Sequence, residues 1–413
     1  MANTTQVTSG LTSRAAHGSG SWEGTKSVGL NTALVHCGVA PDPTTGAILT
    51  PIYQSTTFVQ DSIELYCAKG FSYSRSSNPT VKAFEEKLAA VEGGVGACAF
   101  STGMAATCTI IGAFMNAGDH AIITNCSYGG TNRAARVVFT RFGMDFSFVD
   151  MSDVNSIIPA IKPNTKLLIS ESPTNPTLTL CDIRAISDLC KAKNIIHVCD
   201  STFATPVICR PIEHGADITL QSTTKYYDGH NMTVGGAVIC ATKAHDDAIR
   251  FHQNVFGNIM SPQVAFLQLQ TCKTMVLRIR QQSETAMTIA QMLKTHPAVE
   301  QVRYPGLADH PQKALADRQH RDGLHGGMLW FEVRGGTDAG RRLMNTVRKP
   351  WSLCENLGAS ESIITCPSVM THANMLREDR LKVGITDGLV RVSCGIEDVA
   401  DLLVALKSAL DVL

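Results

Sequence analysis

ACAFSTGMAATCTIIGAFMNAGDHAIITNC, residues 97–126, is the stretch that sets the fold class. The apolar run ACAFS reads as a short strand. TGMAATCTIIGAFMNAG follows as a helix ended by glycine, and HAIITNC then opens a second strand. Strand, helix, strand in so short a span is the repeating unit of a parallel sheet. The alternation continues to about residue 240. DFSFVD, KLLISES, IIHVCD and ADITLQS are short apolar runs, with VNSIIPAIK and DIRAISDLCKAKN helical between them. Upstream, TVKAFEEKLAAVEGG sets Val81, Phe84, Leu88 and Val91 at helical spacing before a Gly-Gly stop. The expectation is an α/β unit, a mostly parallel sheet with helices on both faces. Ligands of such sheets sit at the carboxyl ends of the strands. Ser101, Asn125, Glu171, Asp200 and Ser222 all fall there.

The flanking segments have other textures. GVAPDPTTGAILTPIYQSTTFVQ is rich in Pro, Gly and Thr and reads as an extended arm. Residues 261–297 read as one long amphipathic helix. Beyond it, GGMLWFEVRGG, ESIITCP and LVRVSCG are strand-like, while GRRLMNTV and VADLLVALKSALDVL are helical. The division expected is a disordered tail and arm over 1–77, a sheet domain over 78–276, and a smaller α+β domain over 277–413.

Composition removes several classes of function. Lys+Arg and Asp+Glu both number 36 in 413 residues, so no net field favours nucleic acid or an anionic membrane. The 14 cysteines are scattered singly from Cys37 to Cys394 with no C-x-x-C, usage that suits a reducing cytosol. His320 and His325, the nearest histidine pair, read as part of a polar loop, and no grouping suggests a metal. The N-terminal MANTTQVTSGLTSRAAHGSGSWEG has no apolar core, and no run approaches membrane-spanning length. A cytoplasmic protein without a membrane partner is expected.

Three places carry candidate chemistry, each with a plainer alternative. Gly103 stands where a strand yields to a helix, where free N–H groups can receive a phosphate; taken alone, a small-residue helix start packed on the sheet explains it better. Asp200, after the buried-looking IIHVC, could hold a heteroaromatic nitrogen protonated; a capping or turn aspartate is the other reading. Lys225, in QSTTKYYDGHN (221–231), either snorkels to the surface or is desolvated and nucleophilic. Ser222 and Thr224 beside it are natural phosphate donors. Together the three would meet the phosphate, ring nitrogen and aldehyde of pyridoxal phosphate.

FSYSRSSNPT (71–80), YGGTNR (128–133), SPTNPT (172–177), CDSTF (199–203), STTKY (222–226) and LVRVSCGIED (389–398) resemble the trans-sulfuration group of pyridoxal-phosphate enzymes. The resemblance runs from about residue 30 to the end and is nearest to the cystathionine γ-lyases. It implies an aspartate-aminotransferase-like, fold type I architecture with a seven-stranded sheet domain. By it, Lys225 bonds covalently to the cofactor aldehyde and later shuttles protons. Ser222, Thr224, Gly103 and Met104 would bind the phosphate, Asp200 the ring nitrogen and Asn175 the ring hydroxyl. Tyr128 would stack on the ring and act as acid or base. Tyr73 and Arg75 would reach the phosphate of a neighbouring subunit in a homotetramer built as a dimer of dimers. Arg391 would fork onto the substrate α-carboxylate, supported by Arg133. Glu355 would take the distal ammonium of cystathionine.

The implied reaction is γ-elimination of cystathionine to cysteine, 2-oxobutyrate and ammonia, with hydrogen sulfide release from cysteine as a side activity. Two alternatives stand: a cystathionine γ-synthase using the same residues, and a catalytically silent scaffold. The chain departs from the family pattern at two places. Asn356 replaces the usual Ser beside the substrate carboxylate. Asn231 and Met232 follow Gly229-His230 where a small residue and Asp are common.

Overall fold

The computed structural model describes residues 28–373 and 375–413; the tail read from residues 1–24 lies outside them. Seven strands form the first sheet: β1 (Gly96–Phe100), β2 (His120–Thr124), β3 (Asp145–Val149), β4 (Thr165–Glu171), β5 (Ile196–Asp200), β6 (Ile218–Gln221) and β7 (Gly236–Cys240). Their order is β1-β7-β6-β5-β4-β2-β3. Neighbours from β6 to β3 are parallel, and β7 runs antiparallel to both β1 and β6.

Except at the edge strand β3, both faces of this sheet are buried, which is why its strands read as continuous apolar runs. Successive side chains point to opposite faces. Ala99, Ile122, Leu168 and Ile239 join one core with Phe84 and Leu88 of the helix Pro79–Glu92 and Ile186 of the helix Ile183–Lys193. Phe100, Ile123, Ile169 and Val238 join the other core with Ile110 of the helix Gly103–Phe114 and Ile249 of the helix Lys243–Phe256. Each buried Val, Leu, Ile or Phe side chain among them contributes about 1.5–3 kcal/mol by leaving water. The local caps agree: Asn78 accepts from Thr80 N, Gly93 closes its helix at φ 79°, and Thr102 accepts from Ala105 N.

A second sheet follows, of β8 (Val299–Arg303), β9 (Met328–Val333), β10 (Ser352–Leu353), β11 (Ile363–Thr365) and β12 (Leu389–Ser393), in the order β10-β11-β12-β9-β8. Its core packs Phe331, Ile364 and Val390 against Ile289 and Leu293 of the helix Met275–Thr295 and Leu402 and Leu406 of the helix Val399–Leu410.

Four readings of the sequence are corrected. VNSIIPAIK makes two single turns, Val154–Ser156 and Ile158–Ala160, because Pro159 has no N–H to donate and disfavours helix in the residue before it. The stretch 261–297 is two helices, Pro262–Thr271 and Met275–Thr295, split by a tight turn at Cys272–Thr274. At that break Thr271 Oγ1 donates to Tyr227 O (2.9 Å) and Arg278 Nη2 to Tyr226 O (2.9 Å), bonds that tie the helices to the lysine loop. The arm is preceded by a short helix, Leu30–His36, that its neighbours did not signal. His320 and His325 do lie in a loop, but its polar sequence hides that both are buried, with their Nδ1 atoms 3.0 Å apart beside Tyr304. All 14 cysteines are free thiols, and only Cys67 and Cys354 are exposed. Among the described residues, no helix is long and apolar enough to cross a membrane.

Candidate active site

A cavity of about 560 Å³ opens where the carboxyl ends of β4, β5 and β6 meet the helix start at Gly103 and the segment that precedes Leu357. Gly103, Met104, Tyr128, Arg133, Asn175, Asp200, Ser222, Thr224, Lys225, Glu355, Asn356 and Arg391 all line it. Tyr73 and Arg75 do not. They line a separate groove of about 350 Å³ with Ser261 and Pro262, and Arg75 Nε donates to Asn254 Oδ1 (3.2 Å).

Lys225 sits in the loop joining β6 to β7. Gly229 N donates to Lys225 O (2.7 Å) and Asp228 N to Thr223 O (3.0 Å), which coils the loop. Thr224 Oγ1 donates to Gly235 O (3.1 Å) and accepts from Gly235 N (3.0 Å), so its hydroxyl must leave Gly235 O to meet an anion. Burial pushes the Lys225 ammonium down to about 8, helped by Arg391 and opposed by Glu355. Its Nζ donates to Asn356 Oδ1 (2.7 Å). A half-buried amine of this kind has a large neutral fraction near pH 8 and is a competent nucleophile towards a carbonyl carbon.

The two carboxylates at the strand ends are cross-strand neighbours, Glu171 of β4 opposite Asp200 of β5. Burial raises both, and for Glu171 the charge of Asp200 adds to it. Asp200 Oδ1 accepts from Thr202 N (3.0 Å) and Thr202 Oγ1 (2.6 Å), and that hydroxyl accepts from Ser222 N (2.9 Å). Glu171 accepts from Tyr128 N (2.7 Å) and Asn175 N (2.8 Å), so one buried side chain holds the backbones of two wall residues. Neither Thr202 nor Glu171 received a role from the sequence. The place of Glu171 at a strand end was the available signal, and Thr202 lies inside the CDSTF motif.

At the helix start, a Cβ on Gly103 would come within 3.0–3.1 Å of the Ser222 side chain. Glycine there leaves room for an anion between Ser222 Oγ and the free N–H groups of the first turn. Arg391, on β12, is 4% exposed. Its Nη1 donates to Asn175 Oδ1 (3.0 Å) and its Nη2 to Glu355 O (3.0 Å). Burial lowers its pKa to about 10, so it remains a cation. The exposed carboxylate of Glu355 and the exposed guanidinium of Arg133 have no ion-pair partner among the described residues. The cavity thus joins an activated amine, an anion cradle, a buried carboxylate at the end of β5, and charged groups of both signs.

Comparison with known proteins agrees with this chemistry. The model of the family described as Cys/Met metabolism PLP-dependent enzyme matches residues 31–411. A cystathionine beta-lyase of Coxiella burnetii is 42% identical over 92% of this chain and 97% of its own length. A cystathionine gamma-synthase of Mycobacterium leprae is 44% identical over 93% of this chain and 97% of its own. The crystal structure of cystathionine gamma-lyase from Lactobacillus plantarum complexed with L-serine superposes with a TM-score of 0.89, at 38% identity, covering 93% of this chain and 99% of that one. The fold type I architecture implied by the sequence motifs is therefore the one observed, with pyridoxal 5′-phosphate as the cofactor. The chain belongs to the Cys/Met metabolism family of pyridoxal-phosphate-dependent enzymes.

Proposed function

We propose that the protein cleaves L-cystathionine by γ-elimination, with uptake of water, to L-cysteine, 2-oxobutyrate and ammonia. The observation that carries this reading is a pair of opposite charges serving one amine. Buried Arg391 and exposed Glu355, which makes no ion pair among the described residues, both lie close enough to Lys225 to shift its proton affinity. A substrate with a carboxylate at one end and an ammonium at the other complements that pair.

The residues present fit the cofactor. Lys225 would hold its aldehyde carbon, and Ser222 Oγ with the N–H groups of Gly103 and Met104 would hold its phosphate. Thr224 would join them by releasing Gly235. Asp200 would face the ring nitrogen, Asn175 the ring hydroxyl, and Tyr128 the ring. Bound pyridoxal phosphate supplies an electron sink for the charge left when the substrate loses its α-proton. Lys225, once free, takes and returns protons near pH 8. Arg391, supported by Arg133, grips the α-carboxylate and fixes which bond faces the amine. Glu355 binds the distal ammonium and selects the longer diamino substrate.

Tyr73 and Arg75 lie outside their own chain's cavity, which suits a site completed by a second copy and a homotetramer of two such pairs. The free thiols suit a reducing compartment, and the cytoplasm is the proposed location. The test is to supply purified protein with cystathionine and identify the products. Cysteine with 2-oxobutyrate supports the reading; homocysteine with pyruvate, or no turnover, rejects it. The 44% identity to a γ-synthase favours synthesis from cysteine and an activated homoserine as the second reading, assayed in the same preparation.

A further inference from the structure

The two departures from the family motifs, Asn231 and Asn356, meet in the fold. Lys225 Nζ donates to Asn356 Oδ1 (2.7 Å), Asn356 Nδ2 donates to Asn231 Oδ1 (2.6 Å), and Asn231 Nδ2 donates to Glu361 Oε2 (2.9 Å). We propose that Asn231 and Glu361 are positioning residues that fix the Asn356 amide with its carbonyl oxygen towards Lys225. The proposal rests on Lys225 as the reactive amine and is independent of which substrate is cleaved.

The direction of the chain follows from its outer end. An ionised carboxylate only accepts hydrogen bonds. Glu361 therefore draws the NH₂ of Asn231, which turns the Asn231 carbonyl to Asn356. Asn356 must answer with its own NH₂, and its carbonyl is left for Lys225. Reversing either amide would set two donors or two acceptors face to face. A single charge at the rim thus sets the polarity of the group that touches the reactive nitrogen.

The backbone holds both amides in place. Buried Asp228 accepts from His230 N (3.0 Å) and Met232 N (3.0 Å), pinning the residues on either side of Asn231. Asn231 itself has φ 55°, a left-handed conformation that Asn tolerates better than most residues. Ser360 N and Ser360 Oγ both donate to Gly229 O (2.9 and 3.0 Å), tying the Asn356 segment to the lysine loop. The other titratable groups on the cavity, Arg391, Glu355, Asp200, Glu171, Tyr128, Arg133 and His372, make no hydrogen bond to the Lys225 amine. The amide carbonyl is its one hydrogen-bond acceptor among the described residues.

A fixed carbonyl favours the ammonium form, the stronger donor, and holds the amine on the Asn356 side of the cavity. Without Asn231 or Glu361 the amide turns freely and that preference fades. The experiment uses the full chain freed of cofactor and follows, by absorbance, the rate of pyridoxal 5′-phosphate capture against pH. The rate rises as Lys225 loses its proton, so the midpoint reports the amine directly. Glu361→Ala and Asn231→Leu are each expected to lower the midpoint by about half a pH unit, the worth of one modest hydrogen bond. Asn356→Leu should lower it at least as far, and adding Glu361→Ala to Asn356→Leu should change nothing more.

Unshifted midpoints in Glu361→Ala and Asn231→Leu would overturn the proposal, as would an additive double variant. Glu361 is exposed, so Glu361→Ala decides the question even if Asn231→Leu fails to fold. Failure of the unmodified chain to capture cofactor at all would refute Lys225 as the reactive amine, an outcome separate from any result on cystathionine.

Discussion

Glu92 is fully buried at the end of the helix Pro79–Glu92, and its Oε1 accepts from Tyr227 Oη (2.7 Å) and Gln221 Nε2 (2.9 Å). It clamps the loop on both sides of Lys225, while its Oε2 has no hydrogen-bond partner among the described residues. Burial raises its pKa from 4.5 to about 7, against the opposing pull of Tyr227 and Arg210. Below pH 4.5 folded and unfolded chains are both protonated there, and the contribution to stability is complete. As pH rises the unfolded chain releases the proton while the folded chain keeps it, so stability falls until about pH 7 and then levels. At about 1.4 kcal/mol per pH unit the loss amounts to about 3 kcal/mol. Glu92→Gln keeps an acceptor for Tyr227 and removes the titration. Urea unfolding of holoenzyme and variant, at one protein concentration across pH 4.5–8, should show their stability difference moving by about 3 kcal/mol in favour of the variant. A difference that stays constant across that range would refute the reasoning.

Three further outcomes test other parts of the molecule. Glu355→Ala should raise KM for cystathionine by about ten- to a hundredfold and leave substrates without a distal ammonium unchanged; an equal effect on both removes Glu355 as the anchor. Gly130→Cys should weaken cofactor binding about tenfold in an absorbance titration, because a Cβ there would lie 2.5 Å from the Tyr128 ring and 2.6 Å from Met104 Sδ. Arg250 pairs with Glu85 (2.8 Å) and Asp246 (3.3 Å), so Arg250→Ala strands two largely buried carboxylates. It should cost about 3–5 kcal/mol in denaturant unfolding, and a cost under about 1 kcal/mol would mean those acids take up protons freely.

What the sequence alone could specify follows from short-range physics. Six strands of the first sheet read as apolar runs; five of them bury most of their side chains on both faces, while β3, at the sheet edge, has no fully buried side chain. The helix Pro79–Glu92 carried a periodic apolar face and a Gly-Gly stop, whereas the helix read as ended by glycine stops at Phe114, four residues before Gly118. β7, β8 and β10 gave no separate signal. β7 (Gly236–Cys240) emerges from a loop rich in glycine, and β10 is two residues long. The split of 261–297 was also invisible, since its cause is hydrogen bonding to Tyr226 and Tyr227, far away in the chain.

The site divides along the same line. Residue type, order and spacing sufficed to single out Lys225, Asp200, Ser222 and Gly103, because a strand end and a helix start are local features. Tertiary structure alone decided who touches whom. It set Glu171 beneath Tyr128 and Asn175, linked Asp200 to Ser222 through Thr202, and joined Asn231, Asn356 and Glu361 to the Lys225 amine. It also left Tyr73 and Arg75 outside the cavity of their own chain. These contacts join residues as far as 131 positions apart. Hydrogen-bond direction and desolvation depend on distances of a few ångströms, and only the folded chain fixes those.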